Sequence, residues 1–195
     1  MSARQQVGIL LFEGVELLDF AGPFEVFSAA DELRGGTAFD VWTVAASAEP
    51  VTTHNGLAVV PRHAFPTAPR PDLLVIPGGF GTRALLHQPV SLDWIQTAAA
   101  SAGLVVSVCT GSLVLAKLGL LDGLRVTTHH QLFGLLSELA PSATLERGAR
   151  FTDNGRICTA AGVSAGIDLS LHLVGRLLGE AAAAETARYI EYERR

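Results

Sequence analysis

The sequence predicts an α/β domain in which a mostly parallel sheet is covered by helices on both faces, and three observations point there. Val7 to Phe12, Asp72 to Ile76 and Leu104 to Val108 are apolar almost without interruption, the pattern of strands buried on both sides. These runs alternate with segments of helical spacing, which places the connections over the sheet as crossovers. A hydrophobic content of 49% against 17% charged residues exceeds what a sheet with one wet face needs. The 195 residues suffice for one sizeable core, so residues 1–195 are read as a single domain.

Taken in order, Val7 to Phe12 is the first strand and Glu13-Gly14 its turn. The stretch Val15 to Pro23 leads into a helix from Phe24 to Leu33, which Pro23 opens and Gly35-Gly36 closes. Phe39 to Val44 is a second strand, and Leu57 to Val60 a short one after the Asn55-Gly56 turn. Asp72 to Ile76 runs into Pro77-Gly78-Gly79-Phe80-Gly81-Thr82, and a helix over about 91–100 returns the chain to Leu104. After Leu104 to Val108 the spacing turns helical from Gly111 to Leu121, so Cys109 falls on a strand-to-helix joint. Arg125 to Thr128 is a strand ending at His129-His130, and Gln131 to Leu139 a helix. Phe151 to Asp153 and Arg156 to Thr159 flank the hairpin turn Asn154-Gly155. Ala160 to Gly166 leads into a helix to Leu178, and an amphipathic helix follows from Glu180.

The totals narrow the function. A formal net charge of -5 leaves no basic footprint, so nucleic-acid binding by this chain is not expected. Two cysteines without Cys-x-x-Cys spacing imply neither a disulfide framework nor a zinc ribbon, and no metal or cofactor is expected. The apolar run near the amino terminus is too short for a signal sequence or a membrane span, so the protein is expected in the cytoplasm.

A sheet of this class gathers its ligands at the carboxyl ends of its strands, where four features converge. Cys109 stands at the joint, next to Gly111 and Ser112, where helix N–H groups favour a thiolate; the competing reading is a buried structural cysteine. Asp19 lies among Leu17, Leu18 and Phe20, surroundings that raise a carboxyl's proton affinity and suit it to proton transfer; it is equally placed to cap the next helix. Glu16, less enclosed, is the competing carboxylate. Gly78 and Gly79 let the backbone aim N–H groups at developing negative charge, or simply make a turn. His129 either orients the reacting groups or is a structural histidine at a strand end. Phe20, Phe80, His129 and Val163 are candidate pocket walls.

Together Leu18-Asp19-Phe20-Ala21-Gly22-Pro23, Ile76-Pro77-Gly78-Gly79, Ser107-Val108-Cys109-Thr110-Gly111-Ser112, Thr127-Thr128-His129 and Ala161-Gly162-Val163-Ser164-Ala165-Gly166-Ile167-Asp168 resemble the ThiJ/PfpI superfamily. Within it the chain is most similar to the isocyanide hydratase branch and to the amidotransferase-like domains of AraC-type regulators. The resemblance implies a flavodoxin-like three-layer sandwich, a homodimer, and a nucleophile elbow carrying Cys109. It also implies Asp19 as the carboxyl partner, a positioning hydroxyl on Thr110, and anion-stabilising N–H groups near Gly79 and Thr110. Thr110 stands where protease-like members carry histidine, which argues against a peptidase. The helix-turn-helix segment that such regulators carry is not seen in these 195 residues, so direct DNA binding is not expected. The implied activity is addition of water to an organic isocyanide to give an N-substituted formamide; the alternatives are a ligand- or oxidant-sensing domain and a glyoxalase-type reaction.

Overall fold

The computed structural model describes residues 4–194 and has the predicted α/β architecture. In chain order the elements are β1 (Gln5–Leu10), α1 (Leu17–Glu32), β2 (Phe39–Ala45), β3 (Val51–Thr52), β4 (Ala58–Val59), β5 (His63–Ala64) and β6 (Leu73–Ile76). Then come α2 (Thr82–Leu85), α3 (Pro89–Ser101), β7 (Leu104–Val108), α4 (Gly111–Lys117), β8 (Arg125–Val126), α5 (Phe133–Leu139) and β9 (Thr144–Leu145). The chain closes with β10 (Phe151–Asp153), β11 (Ile157–Ala160), α6 (Ala165–Leu178) and α7 (Glu180–Tyr189).

The main sheet has the order β10-β11-β7-β6-β1-β2-β5. Its pairs are parallel except the β10–β11 hairpin, which Asn154-Gly155 signals in the sequence. One group of helices, α1, α6 and α7, packs together on the sheet, while α4 packs with α2 and α5 and against β6 and β7. The apolar strand runs are the core, with Leu73 to Ile76 and Val105 to Val108 buried throughout. Gly8 in β1 sits opposite Trp42 in β2, and a Cβ there would lie 2.5 Å from the indole, so the missing side chain makes room for the largest buried one. Truncating Trp42 to alanine is expected to cost about 3–5 kcal/mol.

Two elements differ from the sequence expectation in ways that matter for the site. Helix α1 begins at Leu17, so Pro23 lies inside it rather than at its start. Glu16 therefore takes the N-cap position and Asp19 falls in the first turn, which removes the reading of Asp19 as a cap. The segment before His129 is also shorter than expected: β8 ends at Val126 and pairs with β9 in a separate two-stranded sheet. Which partner such a short strand takes is decided by tertiary packing, which periodicity does not report.

Strand order places the site. From β1 the chain moves to β2 on one side and, through β6 and β7, to the other, so the carboxyl edge at β1 and β6 is a topological switch point. The loop after β1 is tied to the loop after β6 there: Val15 and Gly79 form a β-bridge and Gly81 N–H donates to the Gly14 carbonyl at 3.1 Å. Gly81 permits this approach, because a Cβ on it would fall 1.8 Å from the Glu13 carbonyl oxygen.

Candidate active site

Cys109 is the residue at which β7 stops and α4 starts, and its φ of 57° puts it in the left-handed region. A non-glycine residue there costs about 1–2 kcal/mol, so the surroundings must hold it. They do so at both of its backbone groups. Its N–H donates to the carbonyls of Ala160 and Ala161 at 3.1 and 2.9 Å, at the end of β11. Its carbonyl lies 3.1 Å from Ser112 Oγ and 3.0 Å from Thr128 Oγ1, and these hydroxyls are 2.8 Å apart. Two protons serve three contacts: Thr128 donates to the carbonyl and Ser112 to Thr128, the shorter of its two options. The Ser112 hydroxyl is thereby spent on fixing the elbow. Gly111 lets α4 start against β6, since a Cβ there would meet the Ile76 carbonyl oxygen at 2.0 Å.

Asp19 is completely buried behind the thiol. Its Oδ2 accepts from Gly78 N–H at 3.0 Å. Asp19 and Cys109 interact, each shifting the other, yet Asp19 Oδ1 has no partner of good hydrogen-bond geometry among the described residues. A bare carboxylate oxygen in that position would be costly, whereas a protonated one is not, so the geometry itself favours a proton on Oδ1. Burial pushes the Asp19 carboxyl up to about 7, against the Gly78 hydrogen bond that pulls it down, and Glu16 adds repulsion. Burial and the neighbouring Asp19 push the Cys109 thiol up to about 12, although the N–H groups of Thr110 and Val163 pull it down. The expected resting thiolate is therefore corrected. A helix of seven residues supplies too little field to offset desolvation of a buried sulfur, and the thiol keeps its proton until a base takes it.

The sulfur opens into a cavity of about 270 Å³ lined by Glu16, His54, Gly79, Phe80, Arg83, Thr110, His129, Gln131, Leu132 and Val163. Of the candidate pocket walls, Phe80, His129 and Val163 line the same cavity as Cys109. Phe20 does not: it is 6% exposed and packs into the core, because a helical neighbour of Asp19 points about 100° away. His129 accepts from Gln131 N–H at 3.4 Å through Nδ1, and burial, with His130 beside it, lowers its proton affinity. His54, for which the sequence offers no partner, stacks on Phe80 at 4.6 Å, and Arg83 lies over the same ring at 5.8 Å, forming a lip.

The two glycines serve differently from expectation. Gly78 N–H is taken by Asp19, and Gly79 N–H donates to Thr110 Oγ1 at 2.9 Å, so neither is free for an anion in the cavity. Thr110 Oγ1 also contacts Thr82 Oγ1 at 2.9 Å, which anchors the elbow to the Gly79 turn rather than leaving the hydroxyl loose in the pocket. The N–H groups that act on the sulfur are those of Thr110 and Val163. Val163 has a φ of 47°, a strained conformation for a β-branched residue, and its N–H acts on both Asp19 and Cys109. The sequence signal for it is the small-residue run Ala160-Ala161-Gly162, where backbone can approach closely. No group of three or more histidine, cysteine or acidic residues suited to a metal occurs among the described residues. Nor is any described helix long and apolar enough to cross a membrane.

Known proteins resemble the chain over most of its length. Residues 5–176 match the DJ-1/PfpI family. The chain is 37% identical over 187 residues to an isonitrile hydratase from Pseudomonas putida, covering 96% of this chain and 78% of that one. It is 29% identical over 191 residues to the HTH-type transcriptional regulator GbdR of Pseudomonas aeruginosa, covering 97% of this chain but 51%, about half, of the regulator. The crystal structure of a ThiJ/PfpI family protein from Pseudomonas syringae superimposes with a TM-score of 0.88 at 31% identity, over 99% of this chain and 77% of that one.

Proposed function

The chain belongs to the DJ-1/PfpI family, and from that premise we propose that it is a cysteine-dependent hydratase of small organic isocyanides, working as a cytoplasmic homodimer. The observation that carries the reading is a buried carboxyl, titrating at about 7, beside a thiol that opens into a cavity.

The chemistry follows from the protons. Above pH 7 the Asp19–Cys109 pair holds one proton. As Asp19 takes it, the sulfur becomes a nucleophile and attacks the terminal isocyanide carbon, forming the S–C bond. Asp19 then gives the same proton to that carbon, and the product is a thioimidate on Cys109. Charge in this step meets the N–H groups of Thr110 and Val163. Water next adds to the thioimidate carbon, the C–S bond breaks, and N-substituted formamide leaves with the thiol restored.

Cys109→Ala tests the reading: formamide production from an alkyl isocyanide should vanish, and its retention would refute the nucleophile. The regulator relative favours a second reading, a ligand-sensing domain. Its signature in the same assay is saturable binding of a small molecule by wild-type protein with no formamide released.

A further inference from the structure

Addition of water to an isocyanide creates two new bonds to hydrogen, one at carbon and one at nitrogen. The Asp19–Cys109 pair accounts for the first. Asp19 is poorly placed for the second: it has no exposed surface and is not among the residues lining the cavity, so it meets neither a water molecule there nor the nitrogen, which lies one bond farther from the sulfur.

Glu16 is placed for it. It is half-buried and forms part of the cavity wall that holds Cys109. It occupies the N-cap position of α1, but its carboxylate makes no capping hydrogen bond, and no other described residue pairs with it. Its backbone is fixed from both sides, with its N–H donating to the Gly78 carbonyl at 2.9 Å and its own carbonyl accepting from Asp19 N–H at 3.2 Å. Positions 16 and 19 flank the start of one helix, Asp19 fully enclosed in its first turn and Glu16, in extended backbone just before it, in the cavity wall. His129 is a weaker candidate, because its Nδ1 already accepts from the backbone and burial reduces its affinity for a proton.

Building on the hydratase reading, we propose that Glu16 is a second catalytic acid–base and that the two carboxyls divide the reaction, Asp19 serving carbon and Glu16 serving water and nitrogen. The Glu16 carboxylate takes a proton from water as the oxygen bonds to the thioimidate carbon and the C=N electron pair moves to nitrogen. The resulting acid returns that proton to nitrogen. In the tetrahedral adduct the C–S bond then breaks, the carbonyl forms, and Glu16 carries the hydroxyl proton to the departing sulfur, which shares its cavity. Glu16 and Asp19 both end as they began.

The test is Glu16→Gln, assayed at pH 8, above the titration of Asp19, with an alkyl isocyanide, intact-mass detection of the Cys109 adduct and quantification of formamide. The expected result is adduct formation at the wild-type rate, near-stoichiometric accumulation of thioimidate, and formamide release reduced at least about 100-fold. The melting temperature should be unchanged, since the side chain has no structural partner, and Glu16→Asp should recover part of the release. Release within about threefold of wild type, or adduct formation slowed in step with release, would overturn the assignment. Wild-type protein giving neither adduct nor formamide would instead overturn the hydratase reading on which the assignment rests.

Discussion

Both cysteines of this chain are buried, both stand next to an aspartate, and both thiols are pushed up to about 12, first by burial and then by that aspartate. What separates them is the state of the acid and the space around the sulfur. Cys158 Sγ lies 3.5 Å from Asp153 Oδ1 and 3.7 Å from Arg176 Nη1. Burial alone would raise Asp153, but hydrogen bonds from His172 and Gly155 and the charge of Arg176 hold it below the ordinary carboxylate range. His172 Nε2 approaches Asp153 Oδ2 at 2.7 Å and Arg176 donates to the same oxygen at 2.9 Å. That carboxylate is already neutralised and has no proton to trade near pH 7. Asp19 has the Gly78 hydrogen bond, a smaller pull from the Val163 N–H and, among the described residues, no cation, so its proton is exchangeable at neutral pH, beside a sulfur with a cavity in front of it. A thiol's own proton affinity therefore does not separate the two cysteines; the partner's does.

The largest expected effect breaks the comparison outright. Cys109→Ala should abolish isocyanide turnover, whereas Cys158→Ala should leave it within about twofold and cost only roughly 1 kcal/mol of packing, read from denaturant midpoints. Equal loss in both would mean that the two sites are not distinct. Exchanging the acids is expected to act next most strongly: Asp19→Asn should lower kcat/KM by about 10²- to 10⁴-fold, and Asp153→Asn should not move it.

Stability should respond with opposite signs. A carboxyl raised from 3.8 to about 7 makes the folded state bind the extra proton, so its stabilisation is full below pH 3.8 and is lost as pH rises through about 7. Asp153, lowered in the folded state, stabilises above its ordinary value and loses that contribution as pH falls through its depressed one. Asp19→Asn should thus gain up to a few kcal/mol over wild type at pH 8 and little at pH 4. Asp153→Asn should lose roughly 1–3 kcal/mol at pH 8 and little in strong acid. Melting curves across pH resolve both, at about 2–4 °C per kcal/mol for a chain of this size.

The site was legible in the sequence where local pattern determines geometry. An apolar β-branched run followed by Thr110-Gly111-Ser112 places Cys109 on the joint, and parallel strands bring Asp19, Gly79 and Val163 to the same edge. It was not legible where packing decides. Nothing in Val7 to Pro23 signals that α1 starts six residues before its proline, yet that start turns Phe20 into the core and Glu16 into the cavity. The neutral resting thiol was likewise hidden, because desolvation depends on residues distant in the chain. The occupied N–H groups of Gly78 and Gly79 depend on partners 59 and 31 residues away.

The central claim, that Asp19 trades the proton which arms Cys109, is tested most directly by the pH dependence of adduct formation at Cys109. Rates are taken from rapid-quench intact mass for wild type and Asp19→Asn. The account predicts that the wild-type rate climbs about tenfold per pH unit and levels off above about 7, and that the variant lacks this limb. A wild-type rate independent of pH across that range, or a limb that survives in Asp19→Asn, would contradict it.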